Sequence, residues 1–361
     1  MTLRNIARIQ LHRLQIPLKV PYALSIAVID AFDTLLVEIE DSNGGRGVGE
    51  ATVLTGYTDE TIEQSWALAT ALADQICGMD MSQANQQLFA HLKSAPFTVT
   101  AFATAIEMIV QPSLLVSEKE RRVPLVAILH AHDIAELDDE IAQNLDDGYR
   151  VFKVKVGFNV GKDLARLHDI QTLLKGRGRI RVDANQGYTR TQALAFVRGL
   201  DPGGIELVEQ TCVAEDWDAA RAVAKAAKVP VMLDESIYGI DDIERAARLD
   251  AADIIKFKLM KAGSLQRLHE ALRRIVELEM VPLLGNGVAA DIGCWMEACV
   301  FGDAQVATAG EMNGLLKCGS SLLINPLTVE RGELVVPAQY WPQLDRDRLN
   351  EYRVQHLERC L

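Results

Sequence analysis

Several things are scarce in this 361-residue chain, and each scarcity closes off a class. The six cysteines, Cys77, Cys212, Cys294, Cys299, Cys318 and Cys360, are scattered, with no C-x-x-C pair and no zinc-finger spacing. They read as reduced thiols that pack as small hydrophobes, not as a disulfide frame or a metal clip. Basic residues are in deficit: 37 Lys and Arg against 50 Asp and Glu leave a net charge of −13. Affinity for nucleic acid or an anionic membrane rests on clustered Lys and Arg, so neither partner is expected. No apolar run approaches the roughly 20 residues that span a bilayer. The opening Met-Thr-Leu-Arg-Asn leads into alternating polar and apolar positions, so no signal-peptide core is read there and a soluble, cytoplasmic chain is expected. What is present, 49% hydrophobic and 24% charged residues, is ordinary for a globular protein with one large and one smaller domain.

The first 50 residues read as antiparallel β. Ile6 to Leu14 and Asp33 to Glu40 alternate with period 2 before the turn at Asp41-Ser42-Asn43-Gly44-Gly45. Helical signal follows over Asp59–Leu92 and Val99–Val116, where Pro112 predicts a kink or stop. After Arg121-Arg122 the texture changes. Short apolar runs ending near His130, Lys155, Asp183, Glu209, Asp234, Lys258 and Gly285 alternate with Ala-rich amphipathic segments, and a weaker eighth run covers Ala304–Glu311. Near-continuous apolar strands alternating with helices imply a parallel sheet covered on both faces. The fold class is therefore α/β, a modified (β/α)8 TIM-type barrel preceded by an α+β domain. An open doubly wound sheet fits less well, because V-A-I-L-H-A-H-D lacks a glycine-rich turn after the first strand. The expected division is 1–122 for the N-terminal domain, 123–324 for the barrel, and a tail over 325–361 that returns to the N-terminal domain.

Five charges close five of those runs: Lys155, Asp183, Glu209, Asp234 and Lys258, at gaps of 28, 26, 25 and 24 residues. Each gap holds one strand, one helix and two loops. In such barrels functional groups project from the C-terminal ends of strands, so the five should share one rim. Three converging carboxylates repel one another, and a hard divalent cation such as Mg²⁺ or Mn²⁺ relieves that repulsion with oxygen ligands. The bland alternative is that each acid merely caps the helix after it. Lys153 and Lys155, two apart, point to the same face of their strand, and Lys256 and Lys258 repeat this on the sixth. Neighbouring cations and partial burial are expected to lower a lysine pKa, so that a neutral amine accepts a proton near pH 7. A base on each side of a cation suits removal of a proton α to a carboxylate.

Rival classes remain. His130-Ala131-His132 ends the first strand where metal-dependent amidohydrolases carry an H-x-H pair, but Asp234 and Lys258 stand where further histidines would be needed. A Schiff-base aldolase needs one lysine and no trio of acids. A scaffold role leaves the charged constellation without a purpose.

The strings V-F-K-V-K-V-G, R-V-D-A-N-Q-G-Y, V-E-Q, L-D-E-S and I-K-F-K-L-M-K-A-G, with G-V-G-E-A at Gly47–Ala51, resemble the enolase superfamily, and within it the muconate-lactonizing-enzyme subgroup. Lysine bases with Mg²⁺-stabilised enediolates are that superfamily's pattern. The resemblance implies Asp183, Glu209 and Asp234 as metal ligands and Lys155 and Lys258 as the acid/base pair. Lys153 would assist in carboxylate binding, with Asn185, Gln210 and Glu235 behind them. It further implies a racemase, epimerase or muconate cycloisomerase, with a syn-eliminating lyase of the succinylbenzoate-synthase or dehydratase type as the alternative. A small carboxylate substrate follows, and a homo-oligomer by analogy.

The departures concern packing and substrate. Glu107 replaces a usual Asp, a usual L-L-G-G is missing, Ser264 stands at a second glycine, and Thr211 stands where Pro is usual. At the eighth strand Glu311 and Asn313 replace the D-x-D of dipeptide epimerases; Glu311 could hold a substrate cation or cap a helix. The seventh strand ends with Asn286 and carries no histidine, against mandelate racemases and many sugar-acid dehydratases. Loops around Tyr22–Ile26 and at Tyr57 form the expected lid, apolar with one aromatic each, and His130 is a further candidate contact.

Overall fold

A computed structural model describes residues 4–23, 28–286, 288–301 and 309–361, without the side chains of residues 22 and 23. Ile26, the side chain of Tyr22 and positions 304–308 of the weak eighth strand lie outside the described residues.

The N-terminal sheet runs β1 (Ile6–Ala23), β2 (Val28–Asp41) and β3 (Arg46–Thr52), all antiparallel. Period-2 alternation buries both of its faces. Ile9, Leu11, Leu35 and Val37 pack against α1 (Ile62–Ile76), α2 (Met81–Phe89) and α3 (Pro96–Val110). Leu14, Ile16, Phe32 and Leu36 join a second core shared with the barrel. The helical signal over Asp59–Leu92 becomes α1 and α2, parted where Gly78 takes φ +89°. Helix α3 stops at Val110, before Pro112 can remove a helical hydrogen bond.

Strand β3, R-G-V-G-E-A-T, lacks the alternation that marks the other two strands in the sequence. Its glycines explain it: a Cβ at Gly47 would stand 2.0 Å from the Ala105 carbonyl oxygen, and one at Gly49 1.9 Å from that of Ala101. The strand lies directly under α3, closer than any side chain permits. Gly49→Ala should therefore cost about 1–3 kcal/mol by overpacking. A lower urea midpoint with an unchanged far-UV spectrum is the expected readout; an unmoved midpoint would mean that α3 sits farther off.

The apolar run expected over Val123–His130 is two strands, β4 (Arg121–Pro124) and β5 (Val126–Leu129). Pro124 has no N–H with which to continue a ladder. The barrel then alternates α4 (Ile134–Asp146), β6 (Val151–Lys155), α5 (Val160–Leu174), β7 (Arg179–Asp183), α6 (Arg190–Gly199), β8 (Ile205–Glu209), α7 (Trp217–Ala226), β9 (Val231–Leu233), α8 (Ile240–Leu249), β10 (Ile254–Phe257), α9 (Leu259–Ala262), α10 (Leu265–Glu277), β11 (Val281–Leu284) and α11 (Asp291–Phe301). Strands β5 to β11 form one parallel sheet in sequence order. At the open side of β5, Gly310 makes a parallel bridge to Leu125, the place of an eighth strand. After α12 (Gly314–Lys317) the chain forms β12 (Thr328–Glu330) and β13 (Glu333–Val336), which pairs with β4. Beyond α13 (Arg346–Tyr352), β14 (Arg353–Cys360) pairs with β1. No helix among the described residues is long and apolar enough to cross a membrane.

Two N-terminal-domain carboxylates hold the halves together. Glu50, in β3, accepts the backbone N–H groups of Ala290 (2.6 Å) and Ile292 (3.0 Å) at the start of α11. Glu107, on α3, accepts those of Leu265 (2.6 Å) and Gln266 (3.0 Å) at the start of α10, where Ser264 caps Arg267. The orphan donors of two barrel helices are thus met by acids from the other domain. Glu107 and Ser264, two of the departures noted in the sequence, belong to this clamp.

Candidate active site

Five charges stand at the strand ends, three of them aligned by strand register. Lys155 stands opposite Asp183, and Asp183 opposite Glu209, across the C-terminal ends of β6, β7 and β8. Asp234 and Lys258 each follow directly on β9 and β10. None of the three acids caps the helix that follows it: those N-caps are Thr189, Asp216 and Gly239. Asp183, Glu209 and Asp234 are all buried.

Ammonium groups interleave with these carboxylates. Lys153 Nζ lies 2.8 Å from Asp183 Oδ2, 2.9 Å from Glu209 Oε2 and 3.1 Å from Glu311 Oε1. Lys256 Nζ lies 2.8 Å from Glu209 Oε1 and 2.6 Å from Glu311 Oε2. Lys155 donates to Asp183 Oδ2 at 2.7 Å and to Asn185 Oδ1, while Asn185 Nδ2 donates to Glu235 Oε1 at 2.9 Å. On the far flank, Lys258 donates to Asp234 Oδ2 at 2.7 Å and Lys261 to Asp234 Oδ1 at 2.9 Å. Gln210 fixes the backbone around Asp234: its Oε1 accepts the N–H groups of Asp234 (3.0 Å) and Ser236 (3.2 Å). Asn185, Gln186 and Gln210 all take left-handed φ just past the strand ends, backbone strain of the kind that collects at functional sites.

The electrostatics correct one expectation. The sequence predicts lowered lysine pKa values, yet Lys153 and Lys258 go up. Burial alone would lower them, but Asp183, Glu209 and Glu311 outweigh it at Lys153, and Asp234 and Glu235 do so at Lys258. Lys153 stands within 3.1 Å of three carboxylates, and Lys258 within 2.7 Å of one. The lysine that is lowered is Lys261, to about 8, chiefly by burial. Burial pushes Asp183 and Asp234 up, but the surrounding lysines hold both below the usual carboxylate range. Glu235 rises to about 7 through burial and the charge of Asp234.

Among the described residues no three His, Cys, Asp or Glu groups stand together as a metal cluster; Lys153 bridges Asp183 and Glu209, and Lys256 pairs with Glu209. The donor set nonetheless suits a hard divalent cation: three carboxylates at adjacent strand ends, with Glu209 Oε2 accepting no hydrogen bond. Lys153 reaches that oxygen as an ion contact, outside hydrogen-bond geometry.

The substrate candidates divide. Glu311 joins the cluster, held by Lys153 and Lys256, and caps no helix. Tyr57 also joins it, its hydroxyl 2.6 Å from Lys258 Nζ and 3.2 Å from Asp234 Oδ1. His130 does not: its side chain is exposed, and its backbone N–H bonds Glu140. Asn286 turns to Glu297, donating at 2.7 Å, and Asn313 accepts from Lys317 at 2.9 Å. Sequence reasoning missed Lys261 and the buried Arg181, whose Nη1 stands 3.9 Å from Glu311 Oε1. The K-L-M-K-A-G string carried the signal for Lys261; for Arg181, R-V-D offered only a strand position.

Residues 136–340 match the family description "Enolase C-terminal domain-like", and residues 7–113 match "Mandelate racemase / muconate lactonizing enzyme, N-terminal domain". The chain belongs to the mandelate racemase/muconate lactonizing enzyme family of the enolase superfamily, and is an isomerase of the racemase/epimerase or cycloisomerase kind. It is 26% identical over 333 residues to N-succinyl-L-Arg/Lys racemase of Bacillus cereus, covering 87% of this chain and 88% of that one. It is 33% identical to L-Lys-D/L-Arg epimerase of Methylococcus capsulatus, covering 72% and 76%. With muconate cycloisomerase 1-2 of Acinetobacter lwoffii the figures are 28%, 91% and 91%. Among solved structures, the Bacillus cereus racemase superposes with a TM-score of 0.89 at 22% identity, covering 98% of this chain and 99% of that one. A dipeptide epimerase of Cytophaga hutchinsonii superposes with 0.88 at 20% identity, covering 98% and 99%.

Proposed function

We propose that this enzyme racemises or epimerises an amino-acid derivative bearing a free carboxylate, moving the α-proton between Lys155 and Lys258 with the help of a divalent cation. The observation that carries this is the placement of the two lysines, on β6 and just after β10, with the three acid-bearing strands between them. A base on each side serves both stereoisomers: one lysine takes the proton from its face, and the other returns one to the opposite face. Asp183, Glu209 and Asp234 would hold Mg²⁺ or Mn²⁺, which would supply positive charge to fix the substrate carboxylate and offset the charge gained as the α-proton leaves. The Cytophaga hutchinsonii epimerase was determined with Mg and the dipeptide D-Ala-L-Val. Lys153 adds positive charge where the substrate carboxylate would arrive, and Asn185, tied to Glu235, orients Lys155.

Cycloisomerisation of a muconate is the second reading, favoured by the likeness to the Acinetobacter lwoffii enzyme across 91% of the chain. It requires only one of the two lysines. Incubation in D₂O with Mg²⁺ and N-succinyl amino acids, dipeptides and muconates separates the two. Deuterium entering both stereoisomers of an amino-acid derivative supports racemisation; turnover of muconate alone rejects it.

A further inference from the structure

The two opposed lysines are not equivalent. The side chain of Lys155 is 42% exposed, and its partners among the described residues, Asp183 and Asn185, both belong to the barrel. The side chain of Lys258 is 5% exposed, and one of its partners comes from the N-terminal domain. Tyr57 places its hydroxyl 2.6 Å from Lys258 Nζ, accepts from that ammonium, and donates its own proton to Asp234 Oδ1 at 3.2 Å. Its ring lies under the same ammonium, 4.4 Å from Nζ to the centroid. The loop is pinned at this residue, since the Tyr57 carbonyl accepts from the Tyr238 hydroxyl at 3.2 Å and its N–H donates to Leu54 at 3.2 Å.

An ammonium has three N–H directions. At Lys258, Asp234 takes one and Tyr57 a second, so the third direction is set by the other two. At Lys155 both partners among the described residues stand on the barrel, and the side chain is 42% exposed.

We propose that Tyr57 is a positioning residue that aims and shields Lys258, so that the two faces of the reaction are unequal and, among the described residues, the tie to the N-terminal domain falls on the Lys258 face. This rests on the assignment of Lys155 and Lys258 as the proton-transfer pair. On the Lys258 face the amine takes the α-hydrogen as a proton, the C–H electron pair stays on the substrate, and Lys155 returns a proton to the other face. In the reverse direction the roles exchange. Misaiming Lys258 by even a fraction of an ångström slows only the steps in which it acts on carbon.

The experiment measures α-hydrogen exchange in D₂O with Mg²⁺ for both stereoisomers of N-succinylarginine and of Ala-Glu, using wild type, Lys155→Ala, Lys258→Ala and Tyr57→Phe. The stereoisomer whose exchange vanishes in Lys258→Ala marks the Lys258 face. Tyr57→Phe should slow that stereoisomer about 10–100-fold, with KM little changed, and leave the other within about twofold. The unaffected face reports that the variant is folded, and Tyr57→Leu should repeat the split. Equal slowing of both faces overturns the proposal and places Tyr57's effect on Asp234 or on the fold; no slowing overturns it as well. Failure of the lysine assignment looks different: exchange then persists on both faces in Lys155→Ala and Lys258→Ala alike.

Discussion

Lys258→Ala should lower racemisation by about 10³–10⁴-fold while the protein stays folded. The variant removes one partner of a buried pair, a change that ordinarily costs several kcal/mol when the other charge is left alone. Here Asp234 keeps Lys261 at 2.9 Å and Lys256 at 3.5 Å, so its carboxylate is not orphaned. The same holds on the other side, where Asp183 retains Lys153 at 2.8 Å after Lys155→Ala. Each single variant should still exchange the α-hydrogen of one stereoisomer, because the remaining lysine faces one side of the carbon. Mirror-image losses in the two variants are the signature of two opposed bases. Loss of both stereoisomers together in each variant would mean that the lysines bind substrate and do not carry its proton.

The second large effect concerns the carboxylates. EDTA should take the wild type to background activity, with Mg²⁺ or Mn²⁺ restoring it. Glu209→Gln should lose about 10³-fold or more in kcat/KM even with excess Mg²⁺, since charge offset by a metal is worth several kcal/mol and each 1.36 kcal/mol is tenfold. The substitution keeps volume and shape at a fully buried position. It leaves Lys153 with Asp183 and Glu311, and Lys256 with Glu311, so neither cation is stranded. Titration calorimetry with Mg²⁺ on the wild type and Glu209→Gln checks the cause directly. Activity that survives EDTA, or a Glu209→Gln enzyme with unchanged Mg²⁺ affinity, would remove the cation from the account.

The rim charges were legible in the sequence because a barrel strand obeys simple geometry. An apolar run that closes on a charge places that charge at the strand end, and equal spacing repeats the placement. Asp183, Glu209, Asp234, Lys155 and Lys258 could be read in this way, as could the barrel itself. Contacts that join distant segments could not. Nothing near Glu50 announces that it caps a helix starting 241 residues later at Asp291, and nothing near Glu107 points to Leu265. Tyr57 read as a lid aromatic, and only the assembled fold carries its hydroxyl to Lys258. The direction of the Lys153 and Lys258 pKa values failed for a related reason: strand order says which groups are neighbours, but not how closely carboxylates press on each ammonium. The alternation of strand β3 was blurred by the glycines that α3 demands of it.

The enzyme is expected to open the bond between the α-carbon and its hydrogen beside a carboxylate. The most direct measurement is proton NMR in D₂O, with wild-type enzyme, Mg²⁺ and a panel of N-succinyl amino acids and dipeptides. The expected result is the disappearance of the α-proton signal of at least one substrate, starting from either stereoisomer, with no disappearance in the Lys155→Ala/Lys258→Ala double variant. Folded, Mg²⁺-loaded wild type that leaves every α-proton in place, or a double variant that exchanges as fast as the wild type, would contradict it.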